Sequence, residues 1–292
     1  MSHAPTTEPL IDRAPGVLPA DAEHRRIALP GRSSLGLTLV PGIGEPVVWL
    51  HPSRTNRRVF DHAIAASRLG RSILVPELSG HGDSDRPAIA RGLDDHVQDL
   101  TAFADVMGLD RFAIVGQATG ATLGLMLATR LPDRVSALAL GDVALGIRPS
   151  VYALVERQEQ AFAATPFETP DAAMAATPFS DRWPLEVRAH WLATALDRGR
   201  DGLFRWRYDA ATVLKTMAQM VTDRWAEIDV AAPTLLFRGG ENDAIEAGEI
   251  QRALHRLPHA EAAEMQGANH RLCQDAPRAF AELTDQFLRR AA

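Results

Sequence analysis

Phe112-Ala113-Ile114-Val115-Gly116-Gln117-Ala118-Thr119-Gly120-Ala121-Thr122-Leu123-Gly124 is the stretch that decides how this chain folds. A short apolar run of strand type leads straight into a glycine-flanked bend, and a small-residue helix follows. The bend is sharp, so it needs glycines where the helix packs back against its strand. Its strain lifts the central residue, Ala118, to the carboxyl end of the sheet. The helix behind it presents free N–H groups and positive partial charge.

Outward from that bend, strands alternate with helices, the rhythm of a mostly parallel sheet covered on both faces. Strands are expected at 24–29, 35–40, 46–51, 72–76, 112–115, 135–140, 234–237 and 262–265, the first two as an antiparallel pair turning at 31–34. Helices fill the intervals, among them 93–107 and 277–290. The reading is an α/β core, residues 23–145 and 229–292, with an eight-stranded sheet. Residues 146–228 break the rhythm and are rich in aromatics, including Phe162, Phe167, Phe179, Trp183, Trp191, Trp206 and Tyr208. They are expected to form a helical cap inserted after the sixth strand, with one helix opening at Thr169-Pro170-Asp171. Residues 1–22, rich in Pro, Thr and Ala, are expected to be a flexible arm.

Composition narrows the function. Thirty-one Lys+Arg against 37 Asp+Glu give a net charge of −6 without a dense basic stripe, which argues against nucleic acid and membrane partners. No apolar run reaches bilayer length, and no signal peptide is evident. The single cysteine, Cys273, forbids an internal disulfide and suits a reducing, cytoplasmic setting. No cluster has metal-ligand spacing and no phosphate loop appears, so neither metal nor cofactor is expected. A small molecule is the expected partner, and a homodimer is left open.

The frame Gly116-Gln117-Ala118-Thr119-Gly120 resembles the nucleophile elbow of the α/β-hydrolase superfamily. Four further stretches agree with it in the family's order: His51-Pro52-Ser53, Gly80-His81-Gly82-Asp83-Ser84-Asp85, Gly240-Glu241-Asn242-Asp243 and Gly267-Ala268-Asn269-His270. The resemblance spans about residues 25–290 and implies a His–Asp pair beside an oxyanion hole. His270 is the general base it implies, with Asp243 as the favoured acid and Asp142 as the alternative. The Thr119 and Ser53 N–H groups would hold an oxyanion, although Pro52 replaces a glycine and has no N–H. Candidate substrate contacts are His51, Arg54, Gln117, Trp183 and Trp206. Arg54, Arg57 and Arg58 are read first as a solvated surface run. His81 is read as a turn residue, and Cys273 as inert packing.

A methyl group at 118 cannot attack a carbonyl. Three readings stay open. A serine hydrolase acting on an ester, lactone or carbon–carbon bond could have its nucleophile replaced, since Gly-Gln-Ser-Thr-Gly would be an ordinary elbow. An aspartate nucleophile is disfavoured by Thr119, where a bulky residue would follow. A lyase, cyclase or decarboxylase could instead use the His–Asp pair without a nucleophile. A binding protein could have kept the pocket and lost the chemistry.

Overall fold

The computed structural model describes residues 7–178, 180–242 and 247–291. The opening strands are β1 (Thr7–Pro9), β2 (Glu23–Ile27), β3 (Leu35–Val40), β4 (Val47–Leu50), β5 (Ile73–Pro76), β6 (Phe112–Gln117) and β7 (Val135–Gly141). A small hairpin follows, β8 (Leu196–Arg198) with β9 (Phe204–Trp206), and then β10 (Thr234–Gly239) and β11 (Ala260–Met265). Nine of them form one sheet in the order β1-β2-β3-β5-β4-β6-β7-β10-β11. It is parallel from β5 to β11, and antiparallel where β1, β2, β3 and β5 meet.

The period of two explains why these runs are strands. Ile114, Leu138, Leu140 and Leu236 point to one face, where α2 (Leu93–Val106) and α3 (Thr119–Arg130) cover them. Ala113, Val115, Ala139, Leu235 and Phe237 point to the other, under α1 (Asp61–Ala66) and α10 (Pro277–Arg290). Both faces are apolar, as a sheet buried on both sides requires.

The sheet has one strand more than expected, because the N-terminal arm is docked rather than free. Thr7–Pro9 pairs antiparallel with Arg25–Ile27, and Asp12 reaches Arg58 at 2.8 Å. Arg13 pairs with Asp197 of the inserted region at 3.0 Å. The insertion holds helices α4 (Pro149–Ala164), α5 (Pro170–Ala175), α6 (Leu185–Ala195) and α7 (Ala210–Met220), and also the β8–β9 hairpin. It is therefore not purely helical.

A second difference concerns the arginines after β4. Arg57 and Arg58 are buried, not solvated. Arg57 Nη1 meets Glu77 at 2.6 Å and Asp83 at 2.8 Å, and Arg58 Nε meets Asp61 at 2.5 Å. Each buried guanidinium is tolerated because a carboxylate from a neighbouring segment accepts its donors. Asp83 also receives Arg207 from the insertion, so one carboxylate joins the core and the inserted segment. Backbone bonds from Gly82 N to Arg207 O and from Asp209 N to Gly80 O fasten the same junction.

Burial works against the charge of Asp83, but Arg57 and Arg207 outweigh it and hold its carboxyl below the usual range. Because the folded value is the lower one, the stabilisation is complete above the ordinary carboxylate range. It is lost as pH falls through the depressed value. Replacing Asp83 with Asn should cost about 3 kcal/mol. At roughly 2 °C per kcal/mol for a chain of this size, Tm should fall by about 6 °C. Thermal unfolding followed by circular dichroism at pH 7 and pH 2.5 checks this: the deficit should shrink at the lower pH, which lies below the ordinary carboxylate value.

Candidate active site

Residue 118 sits on a strained bend whose geometry the glycines make possible. Ala118 has φ 49° and ψ −119°, a left-handed backbone that a side-chain-bearing residue adopts only at a cost of about 1–3 kcal/mol. A Cβ on Gly120 would lie 1.9 Å from the Leu50 carbonyl oxygen, and one on Gly116 would lie 2.7 Å from that of Gly120. Neither close approach survives a side chain, which is why the glycines flank the bend. Ala118 N–H donates to Gly141 O at 2.8 Å, which pins the bend to the end of β7. Among the described residues, three non-glycine residues have positive φ: Arg54, Ala118 and Asp142. They follow β4, β6 and β7, so the strained backbone gathers at one edge of the sheet.

His270 is brought to that edge by the loop after β11. Its Nδ1 lies 2.9 Å from Asp142 Oδ2, and Asp142 is buried. The contact fixes the tautomer: Nδ1 carries the proton toward the carboxylate, leaving Nε2 as an acceptor. Asp142 N–H donates to Phe237 O at 2.8 Å, and Asn242 Nδ2 donates to Asp142 Oδ2 at 2.7 Å. The turn after β10 thus reaches the carboxylate through Asn242. Asp243, the acid favoured from sequence, lies outside the described residues, and the place beside Nδ1 is filled by Asp142, the alternative.

Gln117 holds the histidine loop rather than lining a pocket. Its Nε2 donates to His270 O at 3.1 Å, and its Oε1 accepts from Cys273 N at 3.2 Å. With Ala118 next to it, one strand end therefore carries both the bend and the clamp on the imidazole loop. The Cys273 thiol is buried, donates to Val59 O at 3.6 Å, and has its pKa pushed up by burial. A thiol held in that way is a poor nucleophile.

On the other side of the bend, Thr119 opens α3, so its N–H lies in a first turn whose donors have no intrahelical acceptor. Across from it, His51 is fully buried with both ring nitrogens engaged. Nδ1–H donates to Pro52 O at 2.9 Å and Nε2 accepts from Leu78 N at 3.0 Å. Burial and neighbouring His81 drive its pKa well down, so it stays neutral. It organises the loop around Ser53 and has no ring nitrogen left for a substrate. The Ser53 hydroxyl is buried without a hydrogen-bond partner. His81, expected as a turn residue, has its pKa pushed down to about 4 by burial while Nδ1 bonds Ser79 O at 3.1 Å.

Arg54 does face a pocket. Its Nε meets Glu159 at 2.7 Å, Nη1 donates to Gln158 at 2.8 Å, and its guanidinium lies over the Phe162 ring. Phe162, Trp191, Trp206, Tyr208 and Arg271 complete the main walls, with about 10 Å³ of free space, room for one water. Trp206 lines this space. Trp183 is not among the lining residues; it is buried in the core edge-on to Trp191. Arg271 was not singled out from sequence, although a charged residue directly after a candidate catalytic histidine is a signal that could have found it. Among the described residues, no group of three His, Cys, Asp or Glu side chains could hold a metal ion. No helix among them is long and apolar enough to cross a membrane.

Known proteins resemble this chain over between 36% and 92% of its length. A model of the Alpha/beta hydrolase family matches residues 39–283. The sn-1-specific diacylglycerol lipase ABHD11 of Mus musculus is 24% identical over 252 residues, 83% of this chain and 80% of that protein. A haloalkane dehalogenase of Mesorhizobium japonicum is 36% identical over 107 residues, 36% of this chain and 33% of that protein. The solved structure of E-2-(acetamidomethylene)succinate hydrolase superposes with a TM-score of 0.81 at 21% identity, covering 92% of this chain and 99% of that one. That likeness is one of fold. With a strained bend at the end of β6, a His–Asp pair across β7 and β11, and a family match over most of its length, the chain belongs to the Alpha/beta hydrolase family.

Proposed function

We propose that this chain carries the active site of a hydrolase for an ester, lactone or carbon–carbon bond beside a carbonyl in a mostly apolar small molecule, with alanine standing at the nucleophile position. His270 is the general base, Asp142 its carboxylate partner, and the Thr119 and Ser53 N–H groups the oxyanion donors. The observation that carries this reading is the 2.9 Å contact between His270 Nδ1 and buried Asp142, made beside the bend that presents residue 118. It leaves Nε2 free to take a proton, which is the step a serine at 118 would need.

In this reading, a serine hydroxyl at 118 would attack the carbonyl while Nε2 accepts its proton. The tetrahedral oxyanion would be held by donors worth about 3 kcal/mol each. With alanine the covalent route is closed. Replacing Ala118 with Ser should raise hydrolysis of a p-nitrophenyl ester of a short acid on the order of 10³-fold or more, since losing such a serine costs on the order of 10⁶. The same variant should be labelled by a fluorophosphonate, as mass spectrometry would show. A folded variant that gains neither activity nor label would sink the covalent reading.

A second reading has its own support, because the dyad is complete although no nucleophile accompanies it. Asp142 is buried and spent on the imidazole, an arrangement that a base acting on water or on a substrate C–H would use without change. In that case the unmodified chain turns over its substrate, and His270→Ala lowers the rate by about 10²–10⁴-fold. Asp142→Asn should lower it too, by letting the ring take the wrong tautomer. Rates within twofold of the parent in both variants, measured by product formation, would remove the dyad from the chemistry.

A further inference from the structure

The pocket lined by Arg54 and Arg271 holds more positive than negative charge. Two guanidiniums line it, those of Arg54 and Arg271. Glu159 is already engaged: it accepts from Arg54 at 2.7 Å and from the Tyr208 hydroxyl at 3.1 Å. Among the described residues, the Arg271 guanidinium has no carboxylate within ion-pair distance, although Asp275 acts on it from farther off. The nearby carboxylate of Asp275 is turned to another task, accepting from Asn269 N at 2.7 Å. One cation is therefore left uncompensated in a wall otherwise built largely of aromatic rings.

Such an arrangement is costly unless something else supplies the anion. Desolvation, with repulsion from Arg54 behind it, pushes the Arg271 pKa down to about 10. The group stays charged at neutral pH all the same. A half-buried guanidinium is only partly hydrated, and a planar carboxylate can satisfy it with two parallel hydrogen bonds. The backbone position is firm, since Arg271 O accepts from both Gln274 N and Asp275 N at 2.8 Å. Arg271 also follows His270 directly in the chain, so the backbone that carries the proposed base carries this wall of the pocket as well.

We infer that Arg271 is the anchor for a free carboxylate on the substrate, and that the substrate is an apolar, ring-bearing acid rather than a neutral ester or lipid. The inference rests on the reading of this site as the active site and names its substrate class. The aromatic walls take the apolar body, and the guanidinium takes the acid group. Space comes from next door: a cavity of about 280 Å³ shares Phe162, Trp206 and Tyr208 with the pocket. Rotation of those shared rings would join the two spaces. Arg86, Arg198 and Arg205 line the outer one together with Glu159 and Asp197, and Arg205 is paired with Asp201.

Binding tests this without any turnover. Titration calorimetry with 3-phenylpropanoate and with its uncharged carboxamide at pH 7 should show the acid bound at least about 10-fold tighter by the unmodified chain. Arg271→Gln should erase that preference while leaving carboxamide affinity within about threefold. Arg271→Lys should keep part of it, because the charge remains but the fork is lost. A parent chain that binds neither compound, or both equally, overturns the inference, as does an Arg271→Gln variant that still prefers the acid. Should that variant fail to fold, the parent's preference and the Lys variant decide. Because Ala118→Ser activity is read separately, acid preference without restored hydrolysis rejects the hydrolase reading alone. Restored hydrolysis without acid preference rejects the carboxylate anchor alone.

Discussion

The approach of Gly120 to the Leu50 carbonyl governs the rest of this site. Nothing larger than hydrogen fits there, so α3 starts against the end of β4 and β6 must turn steeply to feed it. That turn forces residue 118 into a left-handed backbone and ties its N–H to the end of β7. Asp142 follows at once, itself left-handed, with its carboxylate on His270. Three strand ends are thereby locked to one another through backbone contacts before any side chain chemistry begins. Strain of this kind persists only where surrounding packing over-determines it. The apolar layers on both faces of the sheet supply that packing.

Much of this was legible in the residues. The alternation of short apolar runs with helices, and the glycine spacing around 118, are local signals, and each reflects a steric demand that a sequence must meet. The identity of the acid was not local. β7 and β10 are parallel neighbours, with Gly141 opposite Phe237, so residues just past either strand can reach the same imidazole. The turn motif at 240–243 begins just after β10, and its Asp243 lies outside the described residues. Among the described residues it contributes an amide, Asn242, to the carboxylate of Asp142.

Charges were harder to read than apolar runs. Arg57 and Arg58 look like a solvated cluster, yet Glu77, Asp83, Asp61 and Asp12 converge on them from four other segments. A buried ion pair needs partners that are distant in sequence, so composition cannot announce it. The same limit hid the role of His51, whose second ring nitrogen is taken by a backbone N–H twenty-seven residues on. The N-terminal arm misled for a related reason. Its Pro and Thr content reads as loose chain, while its docking depends on an edge strand and on Asp12 and Arg13 finding distant arginine and aspartate partners.

Asp83 has a consequence for traffic through the molecule. Held by one arginine from the core and another from the insertion, it rivets the insertion to the sheet. With the insertion tied down on that side, any opening would have to begin elsewhere along it.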